Sequence, residues 1–201
     1  MLGNDVVDLA DPEVRPGSTH PRFDRRVFGP AERSALRASG APNRLRWILW
    51  AAKEAAYKAA RRLDPAAVFS PRRFVVSLDA RLRGHVEHED LRFALRVQEG
   101  ASRVHALAAA PGLALGAVRA GVVRLAAAPS PADASAAARD EARRAAAALL
   151  GEGEGVLQVV GRGRLPVLLR RGEPVALALS LSHHGRYAAF ALAPGPGAGA
   201  T

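Results

Sequence analysis

The alternation of apolar and polar positions divides the chain into two helix-then-strand stretches. Gly29 and Pro30 open a short helix from about Pro30 to Ser39, because proline fits the first helical turn. A longer helix is predicted from Pro42 to Leu63: Leu45, Trp47, Ile48, Leu49, Ala52, Ala55 and Ala56 recur at helical spacing, and Asp64-Pro65 ends it. Short β-like runs follow at Arg73 to Leu78, Leu91 to Val97 and Arg103 to Ala110, separated by Gly, Pro and charged turns. They predict an antiparallel sheet under the long helix.

The pattern then repeats itself. Small and polar residues from Ala126 to Ala138 lead into an alanine-rich helix ending at Leu150, with Ser130 as N-cap, Pro131 in the first turn, Asp133 favouring the dipole and Gly151 as the stop. Strands are expected at Val156 to Val160, Leu165 to Leu169, Val175 to Ser182 and Tyr187 to Ala193, and a flexible tail at 194–201. Arg103-Val104-His105-Ala106-Leu107-Ala108-Ala109-Ala110-Pro111-Gly112 aligns without a gap on Arg186-Tyr187-Ala188-Ala189-Phe190-Ala191-Leu192-Ala193-Pro194-Gly195, 83 positions later. If this is a repeat, the chain is a pseudo-dimer of two α+β lobes, 1–125 and 126–201, each a helix packed on an antiparallel sheet.

Composition narrows the function classes. With 201 residues and 49% of them hydrophobic, the chain supports a buried core. No run of about 18 apolar residues suggests a membrane span, and two acids near Met1 are unlike a signal peptide, so a cytoplasmic, membrane-free protein is expected. The absence of cysteine removes disulfides and thiolate metal sites and fits a reducing compartment. A net charge of +10 suits polyanionic partners, although arginine-rich coding bias produces the same excess. Lys53 and Lys58 are the only lysines, five positions apart on the long helix, which suggests that a compact ammonium is needed there.

Three constellations carry chemistry. Gly3-Asn4-Asp5-Val6-Val7-Asp8 reads as a strand in which the glycine permits close approach and Asp5 and Asp8 point to opposite faces. Trp50-Ala51-Ala52-Lys53-Glu54-Ala55-Ala56-Tyr57-Lys58 places Trp47, Trp50, Glu54, Tyr57 and Lys58 on one side of the helix. Glu54 and Lys58 stand in the favourable acid-first order. Such spacing usually means a surface pair contributing about 0.3–0.5 kcal/mol, but the flanking alanines argue for packing. Leu179-Ser180-Leu181-Ser182-His183-His184-Gly185-Arg186 ends a strand in hydroxyl, imidazole, backbone and guanidinium donors, a set suited to phosphate. A Ser/His nucleophile pair is disfavoured because neighbouring strand residues face opposite ways, and the histidines lack zinc-ligand spacing.

Together these segments resemble the signature of the 4′-phosphopantetheinyl transferase superfamily: a Gly-x-Asp strand, a Trp-x-x-Lys-Glu-x-x-x-Lys helix and a Ser-x-Ser-His strand end. Phe28-Gly29-Pro30-Ala31-Glu32-Arg33-Ser34-Ala35-Leu36 is similar to the family's Phe…Glu…Leu helix, and Gly163-Arg164-Leu165-Pro166 to its Gly-Lys/Arg-Pro turn with one additional residue. The motif order resembles the short holo-acyl-carrier-protein synthases, whereas the length and repeat resemble the two-lobed surfactin-synthetase type, as if its lobes were circularly permuted. The resemblance implies an α+β, 4′-phosphopantetheinyl transferase-like fold, with the active site between the two lobes of a monomer.

It further implies transfer of phosphopantetheine from coenzyme A to a serine of an acidic apo acyl or peptidyl carrier protein, with release of adenosine 3′,5′-bisphosphate. Asp5 and Glu54 would hold Mg²⁺, or Mn²⁺ in its place. Glu54 would act as base and Lys58 would neutralise the pyrophosphate. Lys53, Ser182, His183 and Arg164 would contact coenzyme A, with Ser182 and His183 on the 3′-phosphate. Val7 stands where the two-lobed enzymes often place a second acid, so two protein ligands are expected, and strand alternation turns Asp8 away. The competing expectations are an inactive carrier- or coenzyme A-binding relative and a basic nucleic-acid-binding module; the latter lacks any recognised motif, and the arginines are dispersed.

Overall fold

The computed structural model describes residues 1–126, 129–163 and 165–195. Lobe one opens with β1 (Leu2–Asp8), followed by the helices α1 (Phe23–Val27), α2 (Pro30–Ala38) and α3 (Pro42–Leu63). The strands β2 (Val75–Leu78), β3 (Arg83–His88), β4 (Leu91–Glu99) and β5 (Arg103–Ala109) complete it. They form one antiparallel sheet in the order β1-β5-β4-β3-β2.

Lobe two also sets one long helix against antiparallel strands, but these form two three-stranded sheets. It contains β6 (Arg119–Arg124), α4 (Pro131–Leu150), β7 (Leu157–Arg162), β8 (Leu165–Arg170), β9 (Glu173–Pro174), β10 (Leu177–His184) and β11 (Tyr187–Pro194). Here β11 lies between β10 and β6, while β8 joins β7 and β9 and packs against β10. The two aligned segments therefore hold corresponding places: β5 and β11 are each a buried, alanine-rich strand inside their sheet, between two partners. The fold is α+β, with two pseudo-symmetric lobes.

Several local expectations are corrected. The strand Arg119–Arg124, placed in lobe one by the 125/126 division, pairs with β11, so the chain crosses between lobes earlier. Its Gly121 lies under the Phe190 ring, which occupies the space of a Cβ. β3 was not predicted because Val86 is its only aliphatic side chain. β10 runs through His183 and His184, where a strand end at Ser182 was expected. Pro194 and Gly195, expected in a flexible tail, are tied to Leu177 and Ala176, and 196–201 lie outside the described residues. α4 carries the expected Ser130 cap and a left-handed Gly151 terminus.

The contact between α3 and β1 positions the site. Ala51, Ala52, Ala55, Ala56 and Ala59 have no exposed surface, giving α3 a flat face that lets it lie close to the sheet. Gly3 completes the fit: a Cβ there would collide with the Ala55 carbonyl and the Ala59 amide. The glycine of Gly-x-Asp is thus required by helix packing, and it brings Asp5 beside the polar side of α3.

Candidate functional site at the seam between the lobes

On that polar side, Lys58 Nζ is 2.7 Å from Asp5 Oδ1 and donates to the Asn4 carbonyl at 3.1 Å. Glu54, one turn earlier, is half-buried. Burial, and then repulsion from Asp5, raise its pKa to about 7 against the opposing pull of Lys58. Two carboxylates and one ammonium therefore converge, and the charge of Glu54 is incompletely compensated.

Glu54, Tyr57, Lys58, Arg61 and Arg62 line one wall of a cleft of about 310 Å³; Leu165, Pro166, Ser180 and Leu181 of lobe two line the other. Arg61 stacks over Tyr57 at 5.6 Å. Arg62 donates to the Leu179 carbonyl across the seam, and burial lowers its pKa. His183 is exposed; partial burial first, then Lys58, depress its pKa, and Asp5 opposes them, so it shares the field of the same charges. Further along α3, Trp47 and Trp50 line a broader groove of about 670 Å³ with Phe23 and His184. The helix face thus passes from aromatic to acidic to basic.

Lys53 is corrected. It has no exposed surface, pairs with Glu32 at 2.7 Å and donates to the Pro71 and Phe74 carbonyls, so it cannot reach coenzyme A. Glu32 also accepts from the Gly29 and Val76 amides. This lysine ties α3, α2 and the approach to β2 together, with desolvation lowering its pKa against the pull of Glu32. A compact ammonium with three acceptors is indeed needed there, but for structure.

The expected phosphate cradle is also dismantled. Ser182 is buried, and its hydroxyl accepts from Asn4 Nδ2 at 3.1 Å instead of facing solvent. Arg186 clamps Asp8 through Nε and a terminal nitrogen, both at 2.7 Å, and through its backbone amide at 3.0 Å. Burial alone would raise the Asp8 pKa, but the Arg186 side-chain and backbone hydrogen bonds, with the Ala10 amide, hold it at about 2. Gly185 has φ +51, and its absent Cβ would meet the carboxylates of Asp8 and Asp11, surroundings that repel phosphate. Arg164 lies outside the described residues.

Sequence reasoning missed Asn4, His105, Arg62 and the Asp8–Arg186 clamp. Asn4 was detectable in principle, because an amide between Leu2 and Val6 on a buried strand must find partners. His105 is buried, and its pKa falls to about 4 through desolvation and then the nearby Arg103, Arg96 and Lys58 charges; neutral, it can accept from Asn4 Nδ2 at 3.2 Å. No local pattern pairs Asp8 with a residue at the far end of the chain.

A metal fits this donor set in a limited way. Among the described residues no group of three or more His, Cys, Asp or Glu side chains converges. Asp5 and Glu54 offer two hard carboxylates, and the raised Glu54 pKa marks negative charge that a cation would relieve. Two carboxylates suit an ion such as Mg²⁺ that keeps waters and substrate phosphates.

The fold and site therefore define a two-lobed α+β protein with an acidic and basic seam suited to a phosphorylated ligand. The chain belongs to the 4′-phosphopantetheinyl transferase superfamily, whose match spans residues 1–110, more than half of its length. Among solved structures, the holo-[acyl-carrier-protein] synthase of Neisseria meningitidis is similar at 19% identity, with 54% of this chain and 95% of that chain covered and a TM-score of 0.42. No curated protein matches. Among the described residues, no helix is long and apolar enough to cross a membrane.

Proposed function

We propose that this chain transfers 4′-phosphopantetheine from coenzyme A to a serine of an apo carrier protein, releasing adenosine 3′,5′-bisphosphate. The observation that carries the reading is the convergence of Asp5, Glu54 and Lys58 at the seam, with Lys58 2.7 Å from Asp5 and Glu54 poised at a pKa of about 7.

Asp5 and Glu54 would hold Mg²⁺ or Mn²⁺. The bound ion supplies charge neutralisation for the pyrophosphate and orients its phosphorus. Lys58 adds a compact charge to a pyrophosphate oxygen, and Arg61 and Arg62 extend the basic wall toward the nucleotide phosphates. The carrier serine oxygen forms a bond to the β-phosphorus as the bond to the bridging oxygen breaks. Glu54 takes the serine proton, directly or through water.

His183, exposed beside Lys58 in the electrostatic sense, remains the candidate for the 3′-phosphate; Ser182 does not, because it is buried against Asn4. Both walls of the cleft come from one chain, which supports action as a monomer. The net charge of +10 suits the acidic surface expected of the carrier, and a cytoplasmic setting suits its substrates.

The test is incubation with coenzyme A, Mg²⁺ and a panel of apo acyl and peptidyl carriers. A carrier mass gain of one phosphopantetheine is expected. A well-folded preparation that modifies no carrier, fatty-acid, polyketide or peptide-synthetase, overturns the reading in favour of a binding-only relative.

A further inference from the structure

The expected phosphate-binding role of the Ser-x-Ser strand leaves a question: what do two buried hydroxyls do at the seam? Ser180 and Ser182 are 3% and 5% exposed and project from the same face of β10 toward Asn4. Ser180 Oγ accepts the Asn4 backbone amide at 3.0 Å, and Ser182 Oγ accepts the Asn4 side-chain amide at 3.1 Å. His105 of β5 lies on the other side of the same amide, at 3.2 Å. Asn4 itself has no exposed surface.

The consequence passes one residue along the strand. Lys58 donates to the Asn4 carbonyl and to the Asp5 carboxylate together. Any shift of Asn4 therefore moves the carbonyl that anchors the ammonium and the backbone that carries Asp5. Its backbone amide is held from β10, its side chain from β10 and β5, and its carbonyl from α3, so the strand has little freedom at this point.

We propose that Asn4 is a positioning residue, and that Ser180 and Ser182 latch it from lobe two, so that the closed seam sets the place of the Asp5 carboxylate. This rests on the reading of Asp5 and Glu54 as the cation site. It gives the two buried hydroxyls a role in cation affinity. Removing a hydrogen-bond partner of a metal ligand typically changes metal affinity by about 10–100-fold, and the serines act one residue back from Asp5, so the lower end of that range applies.

The experiment uses the full chain with Ser180→Ala, Ser182→Ala and both together. Mn²⁺ affinity is read by electron paramagnetic resonance without coenzyme A, adenosine 3′,5′-bisphosphate affinity by calorimetry, and Tm by scanning calorimetry. Asp5→Asn identifies the seam ion in the wild type. The double variant is expected to bind Mn²⁺ at least about tenfold more weakly while bisphosphate affinity stays within about twofold. Leu168→Val, which trims a fully buried side chain inside the core of lobe two, controls for stability: it should lower Tm with Mn²⁺ affinity intact.

Unchanged Mn²⁺ affinity in the double variant, or an equal loss in Leu168→Val, overturns the latch even if the wild type transfers phosphopantetheine. Weakened bisphosphate binding with normal Mn²⁺ binding returns Ser182 to the phosphate and overturns it as well. A wild type that binds Mn²⁺ at Asp5, shows the latch effect and yet modifies no carrier leaves this inference standing and removes the transferase reading. A wild type with no Asp5-dependent Mn²⁺ binding removes the latch.

Discussion

The two lobes each set a long helix against antiparallel strands, yet they treat charge in opposite ways. α3 turns Glu54, Lys58, Arg61 and Arg62 toward the seam and keeps Lys53 wholly buried. α4 buries only alanines at Ala134, Ala138, Ala142, Ala146 and Ala147, and its acids and arginines pair on the surface. Desolvation explains the consequence. A carboxylate perturbed by burial and by another charge, as Glu54 is, can serve binding or proton transfer, whereas a solvated pair does not. The proposed chemistry lies on one lobe, and the other presents the opposing wall of the cleft.

Glu54 offers the sharpest way to break that contrast. Glu54→Gln keeps the shape and removes the charge, so transfer should fall by about 10²–10⁴-fold, measured as carrier mass gain, with the circular dichroism unchanged. In metal-free protein the same change should stabilise the fold at alkaline pH. The folded pKa is raised from 4.5 to about 7, so the contribution of Glu54 is intact below 4.5 and is lost as pH rises through 7. The variant should gain roughly 1–3 kcal/mol over the wild type by pH 8 and nothing at pH 4, read from urea midpoints. A variant with near-normal turnover would end the assignment of Glu54.

The two lysines of α3 sharpen the comparison within one helix. Lys53→Met strands the buried Glu32 carboxylate and should cost about 3–5 kcal/mol of stability, while Lys53→Met with Glu32→Leu should recover only part of it, because the Gly29 and Val76 amides and the Pro71 and Phe74 carbonyls still lose their partners. Lys58→Met touches a half-exposed ammonium, so stability should change much less while transfer is severely impaired. Lys58→Arg keeps the charge but not the compact geometry and should also be impaired. Equal effects of the Lys53 and Lys58 changes on unfolding would erase the distinction between a structural and a functional lysine.

Acid titration separates the inter-lobe clamp from the site. Because the Asp8 pKa is lowered from 3.8 to about 2, the Arg186 clamp is fully present above 3.8 and is lost as pH falls toward 2. Asp8→Asn should therefore lower the unfolding midpoint at pH 7, and the gap from the wild type should close across that acid window. A gap that stays constant to pH 2 would mean that the carboxylate charge does not hold the lobes together.

These contrasts also mark what a sequence can and cannot disclose. Both long helices are legible because proline, capping residues and apolar spacing act within a turn or two, and they match at Pro42–Leu63 and Pro131–Leu150. Glu54 and Lys58 are legible as neighbours for the same reason. The partners of Lys53 and Ser182 are not, because Glu32, Phe74 and Asn4 reach them through tertiary packing from other elements. Motif spacing marked both residues, but it could not say whether each faced a ligand or the interior. The Arg186 donors illustrate the same limit: their chemistry suits phosphate, and a buried aspartate 178 positions away takes them.

The smallest expected effect lies on α4, where the Arg144–Glu141 pair, at 2.6 Å, is as short as the buried pair between α3 and α2. Its side chains are 53% and 30% exposed, against 0% and 3% for Lys53 and Glu32. Water and salt screen it, and fixing two long side chains costs entropy, so Glu141→Gln should change stability by no more than about 0.5 kcal/mol and transfer not at all. If this exchange matched Lys53→Met in the denaturant midpoint, contact length and not burial would govern what a charge contributes here, and the division of labour between the two helices would have to be abandoned.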